Sequence, residues 1–198
     1  MSRLSQAISE GDGISVIPLL EGDVPRLATI AEAAGAEAIA VPTVGDVARA
    51  RPHTTLPILV REPAYQHGGA DACVLVYHEL ADDAEALEDL YARVLGAGLD
   101  CVVDVRDEDE LEQALERIDP EVILISERER EGTEDDLERT LDLLPDVPAG
   151  KLVISESALA GRDQIAALER AGVDAVLVRA RETELESVVA ELTGRALS

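Results

Sequence analysis

The sequence predicts an α/β chain of 198 residues that closes into a compact TIM (β/α)8 barrel, one domain over 1–198, with trimmed second and third βα units. Three observations predict it. Eight short, β-branched apolar runs recur at nearly even spacing. Amphipathic segments of helical period separate most of them. The runs are continuously apolar, as in parallel strands covered on both faces. Strand and helix in strict alternation leave an open doubly wound sheet or a closed barrel, and eight units favour closure.

The runs fall at 14–20, 37–41, 57–60, 72–77, 101–105, 122–126, 152–155 and 175–178. After the first, Leu27, Ile30, Ala31 and Ala34 share one helical face. After the second, 45–51 allows only a short helix, and after the third, 63–70 allows scarcely one. Leu87, Leu90, Tyr91 and Val94 mark the next helix, and further helical patterns occupy 107–117, 134–144, 162–171 and 182–192. Gly35, Gly98 and Gly172 follow helical patterns, where a left-handed cap favours glycine.

Composition narrows the function. Forty-two acidic residues against 17 basic ones give a formal charge of −25. That field repels nucleic acid and anionic lipid, so neither a nucleic acid nor a membrane is an expected partner. Disorder is excluded because 46% of residues are hydrophobic and grouped in regular runs. An acidic surface with Lys151 as its one lysine suits a high-salt cytoplasm, where salt screens self-repulsion, and the expected source is halophilic. Residues 1–13 lack the apolar stretch of a signal peptide, and no run approaches the roughly 18 apolar residues of a membrane span, so a cytoplasmic location is expected. Cys73 and Cys101 lie inside apolar runs without metal-ligand spacing and read as reduced core residues. No cofactor motif is present, and the acidic residues show no metal-binding spacing, so neither cofactor nor metal is expected.

Four stretches resemble the indole-3-glycerol phosphate synthase family: 99–106 (LDCVVDVR) with 107–115, 136–145 (DLERTLDLLP), 155–159 (SESAL) and 171–178 (AGVDAVLV). A fifth, 56–62 (LPILVRE), is similar more weakly to the third-strand PVLRKD motif. The resemblance implies a barrel of tryptophan biosynthesis, a carbon–carbon lyase that closes and decarboxylates an anilino sugar phosphate. The family uses a lysine ending its third strand as a general acid and another near its first strand to steer substrate. Arg61 occupies the former position, the first strand ends without a lysine, and Lys151 precedes the seventh strand, opposite the catalytic loops. Asp104 stands where the family has a glutamate, Ala158 and Arg179 replace glycines near the phosphate site, and the lid-forming extension before the first strand is expected to be missing. Arginine does not release a proton at neutral pH.

In a barrel, the residues ending each strand share one mouth. The expected catalytic set is Glu156, retained from the family pattern, with Asp104, Arg61 and His78, histidine being the side-chain type that titrates near neutral pH. Ser157, Arg179, Arg181, Glu127 and Arg128 form the expected ligand-binding set, with arginines suited to an anion such as a phosphorylated small molecule. Glu21, Thr43, Glu62 and Arg106 complete the ring, and mutual ion pairs that need no ligand are the alternative. The favoured reading is a synthase-derived barrel without synthase activity, a binding or partner subunit. The alternative is a lyase of this type still active, or an isomerase or aldolase acting on a phosphorylated sugar. Apolar helix faces left bare by the trimmed units would dock a second copy or another protein.

Overall fold

Eight parallel strands close on themselves in sequence order. The computed structural model describes residues 3–11, 13–62, 68–81, 83–126, 135–157 and 161–194, and for 135, 136, 139 and 157 the backbone alone. The strands are β1 (Ser15–Leu19), β2 (Ile39–Val41), β3 (Ile58–Val60), β4 (Ala72–Val76), β5 (Asp100–Val105), β6 (Val122–Ile125), β7 (Leu152–Ser157) and β8 (Ala175–Arg179). Pairing of β1 with β8, from Ser15↔Ala175 to Leu19↔Arg179, completes the ring.

Both faces of each strand are dry, which is why the runs are continuously apolar. Leu59, Ala72, Val74, Val102, Leu124 and Ile154 fill the interior. Their outward neighbours, among them Val60, Cys73, Leu75, Cys101 and Val103, pack beneath helices. Cys73 and Cys101 are register partners on β4 and β5, both buried and free of any disulfide.

The helices are α1 (Arg3–Ser9), α2 (Val24–Ala34), α3 (Val44–Ala50), α4 (Tyr77–Leu80), α5 (Ala84–Gly96), α6 (Glu108–Arg117), α7 (Asp135–Leu143), α8 (Arg162–Ala171) and α9 (Leu185–Leu192). Gly35 and Gly172 end α2 and α8 at φ 100° and 99°, a conformation costly to any residue with a Cβ. The second unit carries only the seven-residue α3, and between β3 and β4 no helix occurs among the described residues.

Among the described residues the trimmed units leave no bare apolar face, contrary to the sequence expectation. Leu95, on α5, is the large hydrophobic side chain classed as exposed among the described residues, at 48%. Val47 and Ala50 of α3 are fully buried, and Arg51 closes the following gap by donating to the carbonyls of Leu56 and Gly69 at 2.9 Å each. No helix among the described residues is long and apolar enough to cross a membrane.

α1 and α4 differ from the sequence expectation. α1 lies across the strand starts, with Leu4 and Ile8 buried in the interior cluster. Polar contacts fix it there: Ser5 donates from its backbone N and Oγ to Asp100 Oδ2 at 2.9 and 2.7 Å. Arg3 Nη1 pairs with Asp71 Oδ1 at 3.0 Å, while Asp71 Oδ2 receives Arg51 and the Ile58 amide. Lys151 is at this same end, paired with Asp119.

Candidate active site

Side chains alternate along a strand, so each residue two places beyond an interior one also faces inward. At the C-terminal ends this parity runs from Leu59 to Arg61, Val102 to Asp104, Leu124 to Ser126, Ile154 to Glu156 and Leu177 to Arg179. The apolar interior therefore gives way to charge within one layer. These five residues line a cavity of about 430 Å³ with Leu19, Pro42, Val76, Glu21, Glu62, Glu79 and Arg106.

Glu156 is the hub. It is only 3% exposed and is partnered by two guanidinium groups: Oε1 accepts from Arg61 Nη1 at 2.8 Å and from Arg179 Nε and Nη2 at 3.0 and 2.6 Å. Charge-assisted bonds of this kind offset the desolvation of a buried carboxylate. Arg61 also lies 4.0 Å from Asp104 Oδ2, linking β3, β5, β7 and β8 across the mouth.

Asp104 is equally buried but less well paired. Burial pushes its carboxyl up to about 6, Glu156 adds to the rise, and the Ser126 hydroxyl, Arg61 and Arg106 oppose it. Its Oδ1 is buried with no hydrogen-bond partner, as is Nε of Arg106. A carboxyl of this kind can hold or release a proton near neutral pH, whereas the arginines can only hold charge.

The other expected residues separate into three groups. His78 is not in the cavity: the chain turns into α4 at Tyr77, carrying His78 to a 64% exposed position where Nδ1 is 3.4 Å from Glu110 Oε1. Arg181 is 84% exposed and pairs with Glu184 at 3.6 Å, while Thr43 caps α3 by accepting from the Asp46 amide. Glu127, Arg128 and Ala158 lie outside the described residues, and Ser157 is described as the last residue of β7, paired with Val178. Glu79 also lines the cavity, from α4, a helical turn that the apolar run 72–77 does not signal. Among the described residues no cluster of His, Cys, Asp and Glu could hold a metal ion.

A closed parallel barrel with ionisable residues gathered at the C-terminal strand ends defines the class of the (β/α)8 barrel enzymes and their descendants. Within it, the chain belongs to the indole-3-glycerol phosphate synthase family, whose sequence profile matches residues 61–192. A relative of that name from Bacillus mycoides (strain KBAB4) is 35% identical over 177 residues, 80% of this chain and 68% of the relative. One from Variovorax paradoxus (strain S110) is 38% identical over 138 residues, 66% and 51%. One from Geobacillus sp. (strain WCH70) is 34% identical over 127 residues, 63% and 48%. The chain thus spans about half the length of the latter two.

Solved structures agree on the fold. N-acetylmannosamine-6-phosphate 2-epimerase from Clostridium perfringens superposes with TM-score 0.67 at 16% identity, covering 84% of this chain and 86% of that one. A chain of the tryptophan synthase complex from Pyrococcus furiosus gives 0.67 at 17%, covering 91% and 98%.

Proposed function

We propose that this family member does not close the indole ring and acts as a small-molecule-binding barrel, alone or as a subunit of a larger assembly. One observation carries the reading: Arg61 occupies the position where the family places its proton-donating lysine, and it is bound to Glu156 at 2.8 Å. The one lysine, Lys151, is held by Asp119 beyond the strand starts. A guanidinium cannot serve as the general acid, and losing that role costs about 10²–10⁴ in rate. The test is indole-3-glycerol phosphate formation from the anilino deoxyribulose phosphate in molar KCl. The expected result is little or no turnover, with a measurable gain in Arg61→Lys. Turnover by the parent chain in the ordinary enzyme range, about 1 s⁻¹ or faster, would sink the proposal.

Asp104 favours a second reading, in which the chain remains a lyase of this type or isomerises a phosphorylated sugar. Its carboxyl, pushed to about 6 by burial, supplies the titrating group that Arg61 does not. This reading requires a thermal shift with phosphorylated sugars that disappears in Arg179→Ala, and activity that Asp104→Asn removes. In either case, the acidic surface fits work in concentrated salt, so dialysis into dilute buffer should lower the melting temperature.

A further inference from the structure

The reading that the mouth is a binding site leaves open what it binds, and two atoms address this. Asp104 Oδ1 and Arg106 Nε are buried and have no hydrogen-bond partner, and both belong to residues that line the same cavity. They are close enough for Arg106 to act on the charge of Asp104. The third unpartnered buried side-chain atom among the described residues, Ser15 Oγ, is at the start of β1, away from the mouth. Buried polar atoms are nearly always satisfied, so the two in the mouth specify what a ligand must bring.

Arg106 Nε can only donate, and as part of a permanent cation it favours an anionic acceptor. Ionised Asp104 can only accept, and favours a cationic or hydroxyl donor. The ligand must therefore carry both a donor and an acceptor. Charge then selects among such ligands. Five lining residues are acidic and three are arginines, and two of those arginines already donate to Glu156. A phosphate dianion adds charge to a wall that is already net negative. A hydroxy acid supplies the donor but still adds a negative charge, whereas a zwitterion adds none.

We propose that the mouth recognises an α-amino-acid head group, its ammonium donating to Asp104 and its carboxylate accepting from Arg106. The cavity, at about 430 Å³, has room for a side chain beyond that head group, and Leu19, Pro42 and Val76 are the apolar residues of its lining. The proposal rests on the mouth being a binding site, but it does not depend on whether the chain retains ring-closing activity.

The test uses the full chain in molar KCl, with melting temperature and titration calorimetry as readouts. The probes are single L-amino acids, lactate, inorganic phosphate, and the N-acetyl and carboxamide analogues of any amino acid that binds. At least one amino acid should raise the melting temperature, and blocking either its amine or its carboxylate should weaken binding by about tenfold or more. Asp104→Asn and Arg106→Met should each abolish the shift. Should either variant fail to fold, the blocked analogues still decide the matter. Binding of phosphate or lactate with no amino acid response overturns the head-group assignment while leaving the mouth a binding site. No response to any amino acid also overturns it, and the ring-closure assay judges the wider reading separately.

Discussion

The first three strands and the last five build one ring in different ways. β2 and β3 have three residues each, and β1 meets β2 at the single register pair Leu19↔Ala40. β5 and β7 have six residues each, and β4 pairs with β5 along its whole length, from Ala72↔Asp100 to Val76↔Asp104. The chemistry divides similarly. The ends of β1 and β2 present Leu19, Glu21 and Pro42 to the cavity, whereas Asp104, Ser126, Glu156 and Arg179 lie in or directly after β5 to β8. Arg61, directly after β3, joins the two regions and is also where the family match begins. The later strands thus supply the two buried carboxyl groups of the mouth, Asp104 and Glu156, while the earlier ones complete the ring. Completing it with such short pairing places weight on α1 and on Asp71, which bind the strand starts together.

The largest expected break in this division is Glu156→Ala. It strands two partly buried guanidinium groups, and destabilisation of about 3 kcal/mol or more is expected by denaturant titration in molar salt. Leu4→Ala attacks the other region by removing a fully buried side chain from α1, with about 2–3 kcal/mol expected from the same titration.

Asp104→Asn sharpens the comparison through pH. Because the folded-state pKa of Asp104 is raised from 3.8 to about 6, its stabilising protonated form is fully present below about pH 4 and is lost as pH rises through 6. The asparagine variant should therefore gain about 2 kcal/mol over the parent at pH 8, converge with it near pH 4 and show a flatter slope between. Equal slopes for the two proteins would remove Asp104 from the account. The smallest effect is expected for Lys151→Gln: its partner Asp119 is 78% exposed, and a change of at most about 1 kcal/mol is expected, with no effect on any ligand at the mouth.

Most of this was legible in the sequence because burial on both faces writes each strand as a continuous apolar run. The inward positions of Arg61, Asp104, Glu156 and Arg179 were legible too, since parity along a strand extends one step past its apolar part. Parity fails once the backbone leaves the strand. Tyr77 prolongs the apolar run of β4 but begins a helical turn, which is why His78 leaves the mouth and Glu79 enters it. α1 is barely marked in the sequence. Its one signal is Leu4 and Ile8, four residues apart on a segment too short for a recognisable period. That Arg61 and Arg179 would converge on one oxygen of Glu156 could not be read from sequence, because it depends on side chains 95 and 23 residues away from it along the chain.

The position of α1 also bears on kinetics. With Leu4 and Ile8 buried in the interior cluster, the barrel is packed shut at its strand starts among the described residues, and the cavity lies at the opposite end. A ligand of the mouth would then arrive and depart on the same side of the barrel, so changes at the strand starts should alter stability without altering its rates of exchange.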